Sequence, residues 1–319
     1  MRSLVTGASG FVGSALLARF SADSVSCVAA VRRRLPLSLR NVVQFDMGGP
    51  NADVEWKSAL EGVDAVVHLA ARVHLMQDAA SDPLSEFRSV NVHSTLQLAR
   101  QAADSGVRRF VFVSSVKVNG ERTQLGHPFK ADDQPNPCDA YGISKMEAES
   151  GLRTIARESG MEVVIIRPPL VYGPGVKANF AAMMRWLHRG IPLPLGSVHN
   201  QRSLVALDNL VDLITVCLHH PGAANQTFMA SDGEDLSTTE LLRRLGDALG
   251  RPARLLPLPS VLLTAGAALV GRKDIARRLC DSLQVDIGKT RTLLMWRPPV
   301  SVAAALESTA HAFLQNGSL

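Results

Sequence analysis

A chain of 319 residues, 46% hydrophobic and 20% charged, can bury a sizeable core, which excludes a disordered or low-complexity scaffold. Its formal charge of +5 is mild and scattered apart from Arg32-Arg33-Arg34, which argues against nucleic acid and for a small polyanionic ligand. Cys27, Cys138, Cys217 and Cys280 match no zinc-ligand spacing, and the N-terminus leaves no room for a signal peptide, so a cytoplasmic protein with reduced thiols and no metal is expected.

Short apolar runs predict strands at Ser3–Thr6, Val25–Val31, Val42–Phe45, Ala65–Ala70, Phe110–Ser115 and Glu162–Arg167. Helix-period segments between them predict helices at Phe11–Phe20, Pro83–Asp104 and Tyr141–Ser159. This alternation predicts an α/β fold, a Rossmann-type doubly wound parallel sheet. After Arg167, proline and glycine cluster at Pro168-Pro169, Gly173-Pro174-Gly175 and Pro192-Leu193-Pro194. The expected division is therefore a dinucleotide-binding domain over residues 1–167 and a smaller, C-terminal substrate lobe over 168–319. A strand and helix at Ser203–His220 and a strand near Gln226–Ala230 are expected to return residues 203–230 to the first domain. The apolar stretch from Leu255 to Gly271, interrupted by Pro257 and Pro259, is too short to span a bilayer and reads as a buried or interfacial helix.

Thr6-Gly7-Ala8-Ser9-Gly10-Phe11-Val12-Gly13 follows the first strand and opens a helix. Glycines at three-residue intervals let a pyrophosphate approach the backbone, where helix N–H groups and dipole favour its charge. The alternative is a tight turn without ligand. At the end of the second strand, where an acid would hold the ribose hydroxyls of NAD, stand Arg32, Arg33 and Arg34. Arg32 or Arg33 there suits the 2′-phosphate of NADP, unless the arginines form only a solvated loop. Asp46 is placed either to accept from an adenine amino group or to cap a turn. Leu69, Ala70 and Ala71 put small residues beside the cofactor, whereas His68 reads as a structural histidine.

Tyr141 and Lys145 lie one turn apart on the same face at the start of a helix. A nearby ammonium lowers the pKa of a phenol, so Tyr141 can exchange a proton with a substrate oxygen while Lys145 holds the nicotinamide ribose. Ser115, at the end of the fifth strand, can bond the same oxygen, and Ser114 faces the opposite way.

The chain resembles the extended short-chain dehydrogenase/reductases of the NAD-dependent epimerase/dehydratase family, especially its UDP-glucose 4-epimerase-like members. The resemblance rests on the glycine turn, His68-Leu69-Ala70-Ala71, Ser114-Ser115, Tyr141-Gly142-Ile143-Ser144-Lys145, Arg167 through Gly175, and Arg202-Ser203-Leu204-Val205 with Asp208-Asn209. It implies a catalytic set of Ser115, Tyr141 and Lys145, with Met47 and Pro168 joining the cofactor site. It also implies that Arg202 contacts a nucleotide pyrophosphate, that Asn179, Phe180, Leu193 and Leu195 line a uridine pocket, and that Asn91 stands behind the active site. A homodimer is consistent with the resemblance.

Two departures matter. Leu170 replaces an asparagine common in epimerases, and Val118-Asn119-Gly120, preceded by Lys117, replaces Val-Tyr-Gly. The chain looks closer to a subgroup linked with bacterial polysaccharide precursors, and that resemblance implies NAD(P)H-dependent reduction of a UDP-4-keto-6-deoxy-N-acetylhexosamine, with NADP(H) favoured over NAD(H) on the strength of Arg32 and Arg33. The alternative is a UDP-glucose or UDP-N-acetylglucosamine 4-epimerase retaining NAD, and a third reading is a non-enzymatic dinucleotide sensor.

Overall fold

The structure, a computed structural model, describes residues 1–35, 39–48, 54–72, 82–269 and 273–316. The chain runs β1 (Arg2–Thr6), α1 (Phe11–Ala22), β2 (Ser26–Val31), β3 (Val42–Asp46), α2 (Lys57–Leu60), β4 (Ala65–His68), α3 (Pro83–Arg88), α4 (Ser94–Asp104), β5 (Arg109–Val113), α5 (Ala140–Ser159) and β6 (Glu162–Arg167). It continues through β7 (Leu170–Tyr172), α6 (Ala178–His188), β8 (Arg202–Ala206), α7 (Leu207–His219), β9 (Thr227–Met229), β10 (Asp235–Leu236), α8 (Thr238–Ala248), α9 (Ser260–Leu269), α10 (Lys273–Cys280), α11 (Gly288–Leu294) and α12 (Val302–Asn316).

Seven strands form a parallel sheet in the order β3-β2-β1-β4-β5-β6-β9. Alternation along each strand assigns its residues to two cores. Val5, Val67, Val111 and Val164 meet Leu16, Leu17 and Phe20 of α1 and Leu210 and Ile214 of α7 on one face. Leu4, Val66, Phe110, Phe112 and Val163 meet Leu98 of α4 and Leu152 and Ile155 of α5 on the other. Apolar residues on both faces produce the continuous hydrophobic runs expected of a covered parallel sheet. Each wholly buried Leu, Ile or Phe contributes about 1.5–3 kcal/mol by leaving water.

Residues 203–230 divide between two sheets. β8 lies in a small sheet ordered β10-β8-β7, where Leu204 faces Leu170 and Ser203 donates to Asp235 (2.5 Å). The free edge of β6 is taken by β9, through Ile165–Thr227, and α7 packs on one face of the large sheet. The single helix predicted over Pro83–Asp104 is interrupted by a π turn at Ser89–His93. β4 ends at His68 and β5 at Val113, both short of their expected ends; after β5, Ser115 caps a short helical turn over Val116–Val118.

A buried ion pair joins β6 to α5. Arg167 Nε donates to Glu149 Oε1 (2.9 Å) and Nη2 to Oε2 (2.6 Å), while Arg167 Nη1 donates to Asn119 Oδ1 (2.9 Å). Ser114 Oγ donates to Glu149 Oε1 (2.6 Å), and Arg153 Nη2 reaches Oε2 (3.0 Å). Removing one member of such a pair leaves the other buried without its partner. Arg167→Met is therefore expected to cost about 3–5 kcal/mol, and Arg167→Met with Glu149→Leu to recover most of it, by denaturant unfolding. Equal stability of the two variants would refute this account of the pair.

Candidate active site

The strand order reverses between β1 and β4, and the segments leaving β1, β4, β5 and β6 at their C-terminal ends surround that point. In sheets of this kind the crevice there takes the ligand.

The glycine turn leaves β1. Gly7 has φ +65°, and a Cβ on it would stand 2.7 Å from the Ala70 nitrogen, so the turn lies against the backbone continuing from β4. A Cβ on Gly13 would stand 2.2 Å from the Gly7 carbonyl oxygen, so α1 packs on the turn only with hydrogen there. Gly10 caps α1 without a side-chain bond. The N–H groups of Phe11, Val12 and Gly13 thus have no intrahelical acceptor, and Ser9 and Gly10 are exposed beside them. This bare cradle at a helix N-terminus fits a dinucleotide pyrophosphate.

Arg32 and Arg33 are exposed just beyond β2 and, among the described residues, make no hydrogen bond or ion pair. Asp46 Oδ1 accepts from the Gly48 nitrogen (2.9 Å), the turn role, and Met47 packs beside the core. Leu69, Ala70 and Ala71 are half-buried along the exit from β4. His68 is buried between Thr6 Oγ1 (2.8 Å) and Thr95 Oγ1 (3.0 Å) and stacks on Phe112. Burial, with the nearby Lys145 charge, brings its pKa down to about 3, so it stays neutral and structural.

α5 begins where Asp139 accepts from the Gly142 nitrogen (2.7 Å), and this cap presents Tyr141 in the first turn. The Tyr141 ring meets Phe87 edge-on at 6.0 Å between centroids, and Ser115 lies beside its phenol. Burial, helped by the Asp139 carboxylate, pushes the phenol up to about 12, while the Ser115 hydroxyl works the other way. Lys145 is buried; its ammonium donates to the Val113 carbonyl (3.0 Å) and lies 4.4 Å above the Phe112 ring. Burial brings Lys145 down to about 7, although Glu149 one turn on favours its charged form. Asn91, carried inward by the π turn, accepts from the Arg72 nitrogen (2.8 Å) and donates to Ser144 Oγ (3.0 Å). It braces the exit from β4 against α5. Pro168 is buried, and its carbonyl accepts from Val116 beside Ser115 (3.0 Å).

The residues expected to line a uridine pocket separate by burial. Asn179 is exposed. Phe180 is wholly buried and stacks on Tyr172, and Leu193 and Leu195 lie in the same lobe core, so these three apolar side chains pack the lobe. Arg202 is half-buried, and Nη1 donates to the Asp281 carbonyl (3.0 Å). Sequence reasoning also missed the Lys117–Asp139 ion pair, which ties the turn after Ser115 to the cap of α5. Its only sequence trace is the spacing Asp139-Ala140-Tyr141-Gly142, a cap pattern that precedes the tyrosine.

The profile of the NAD dependent epimerase/dehydratase family matches residues 3–230. A UDP-glucose 4-epimerase of Vibrio cholerae is 48% identical over 313 residues, covering 98% of this chain and 95% of the relative. Among solved structures, UDP-glucuronic acid 4-epimerase from Bacillus cereus in complex with NAD superposes with a TM-score of 0.79 at 21% identity, covering 99% of both chains. RMD from Pseudomonas aeruginosa complexed with NADPH gives 0.73 at 20% identity over 98% of this chain and 99% of the other.

The environment of Lys145 has a measurable consequence. Its folded pKa near 7 lies below the ordinary lysine value of 10.5, so charge burial weighs fully on stability below about pH 7 and fades as pH rises toward 10.5. Lys145→Met is expected to stabilise the fold by on the order of 1–4 kcal/mol at pH 6 and by little at pH 10.5. Chemical denaturation across that range tests it; a gain that grows with pH would contradict the burial account.

Proposed function

Because the chain belongs to the NAD dependent epimerase/dehydratase family, we propose that this enzyme exchanges hydride at C4 of a UDP-hexose. The observation that carries this reading is the convergence of Ser115, Tyr141 and Lys145 at the sheet edge that also bears the glycine turn. Gly7, Ser9, Gly10, Phe11, Val12 and Gly13 would hold the dinucleotide pyrophosphate, and the nicotinamide, when bound, accepts or returns the hydride. Tyr141 moves the proton at the sugar O4. Ser115, beside the phenol, holds the same oxygen, and Lys145, one turn along α5, would hold the nicotinamide ribose. Arg202 is the group proposed to meet the UDP pyrophosphate. Tyr141→Phe is expected to lower kcat by roughly a hundredfold or more with little change in UDP-sugar affinity. Wild-type turnover in that variant at saturating substrate would remove Tyr141 from the chemistry.

The 48% identical relative supports 4-epimerisation with retained NAD as the net reaction. A second reading, reduction of a 4-keto sugar by NADPH, is favoured by Arg32 and Arg33, which are exposed and, among the described residues, unengaged, just past β2 where an acid would otherwise select NAD. A phenol held protonated to about pH 12 also suits proton donation to the alkoxide that reduction forms. An epimerase regenerates its cofactor within each cycle, whereas a reductase must draw reduced cofactor from solution. Purified enzyme that carries bound NAD and interconverts UDP-sugar epimers without added cofactor would establish the first reading and eliminate the second. Consumption of NADPH with a 4-keto sugar, its kcat/KM falling at least about tenfold in Arg32→Ala/Arg33→Ala while NADH use holds, would do the reverse.

A further inference from the structure

The apolar stretch around α9 plays no part in the proposed chemistry, and its exposure is unusual. Residues 254–259 run alongside 193–197, with Leu193 and Leu256 hydrogen-bonded through their backbones. Leu255, Leu263 and Leu279 turn inward and pack on the lobe core, which fixes α9 and α10 to the lobe. The opposite side is bare. Val261 is 74% exposed, Leu262 56% and Leu256 55%, with Leu258, Ile191 and Trp186 also exposed. Ile191 and Trp186 share a backbone hydrogen bond, and Ile191 lies two residues before Leu193, which brings the end of α6 to this face.

Charge identifies the occupant. The same segments carry exposed Arg185, Arg189 and Arg254, and α10 adds exposed Arg277 and Arg278. Residues 185–191, 251–262 and 276–280 contain no Asp or Glu. A second copy packed isologously would set guanidinium groups against guanidinium groups, which disfavours self-association. An anionic lipid surface satisfies both features. Tryptophan and leucine enter the headgroup boundary while arginine stems lie along it and their heads meet phosphates. No helix among the described residues is long and apolar enough to cross a membrane, so the contact is interfacial.

We propose that the face formed by Trp186, Ile191, Leu256, Leu258, Val261 and Leu262, with its flanking arginines, seats the protein on anionic bilayers. The chemistry required of the partner is a fluid apolar layer under negatively charged phosphates.

The test is flotation of the full chain with vesicles of phosphatidylglycerol mixed into phosphatidylcholine, or of phosphatidylcholine alone, at low and high salt. Binding is expected on the anionic vesicles and weaker on the neutral ones, with salt reducing it. Val261→Glu/Leu262→Glu and Arg277→Gln/Arg278→Gln should each lower the partition coefficient at least about tenfold while circular dichroism stays unchanged. The proposal is overturned if the wild type stays in solution with both vesicle types, or if both variants float as well as it does. It is equally overturned if Val261→Glu/Leu262→Glu splits a dimer in solution and leaves flotation unmoved, since the partner is then a second copy.

Discussion

The buried pair of Glu149 and Arg167 is the joint on which the site depends. It locks the last residue of β6 to the middle of α5 with two parallel charge-assisted bonds, a geometry that tolerates little sliding or rotation. Lys145 stands one turn before Glu149 on the same helix, so its reach toward Val113 is set by this joint. Ser114, just past β5, is drawn to the same carboxylate, and the next residue, Ser115, lies beside Tyr141. Asn119, in the Val118-Asn119-Gly120 segment, accepts from Arg167 and donates to the Lys130 carbonyl. The departure noted in the sequence therefore serves the joint, and it widens the network to the loop beyond β5.

Stability and function pull in different directions around this joint. The two faces of the sheet are filled by aliphatic and aromatic side chains, and they supply the surplus that buried ionisable groups consume. Lys145 and Tyr141 are two such groups: each is held where its charged form is disfavoured. Both groups are thereby brought under the control of whatever charge enters the crevice. Sites that need perturbed acids and bases accept this cost.

Legibility in the sequence followed the range of the interaction. Strands β1 to β6 and helices α1 and α5 could be read because hydrophobic period and capping are local, and the glycine turn and the Tyr141/Lys145 spacing are local as well. The placement of β8 was not readable. Ser203-Leu204-Val205 carries the same alternation whichever sheet accepts it, and the choice is made by Leu170 and Asp235 at a distance. Phe180, Leu193 and Leu195 illustrate a second limit, since an apolar side chain has the same composition in a core as in a pocket wall. The partnership of Glu149 with Arg167 was hidden for a third reason: two opposite charges far apart in the chain are indistinguishable from solvated ones until burial is known.

The π turn at Ser89–His93 carries a geometric implication. Such a turn holds one residue more than the α-helical turn in its place would. An α-helix advances about 100° per residue, so the extra residue rotates everything after it by roughly that angle relative to the unbroken form. With one residue fewer there, the position held by Asn91 would face a different direction, away from Arg72 and Ser144. The brace behind the active site therefore depends on a residue count, and shortening the segment by a single residue would undo it without touching Asn91 itself.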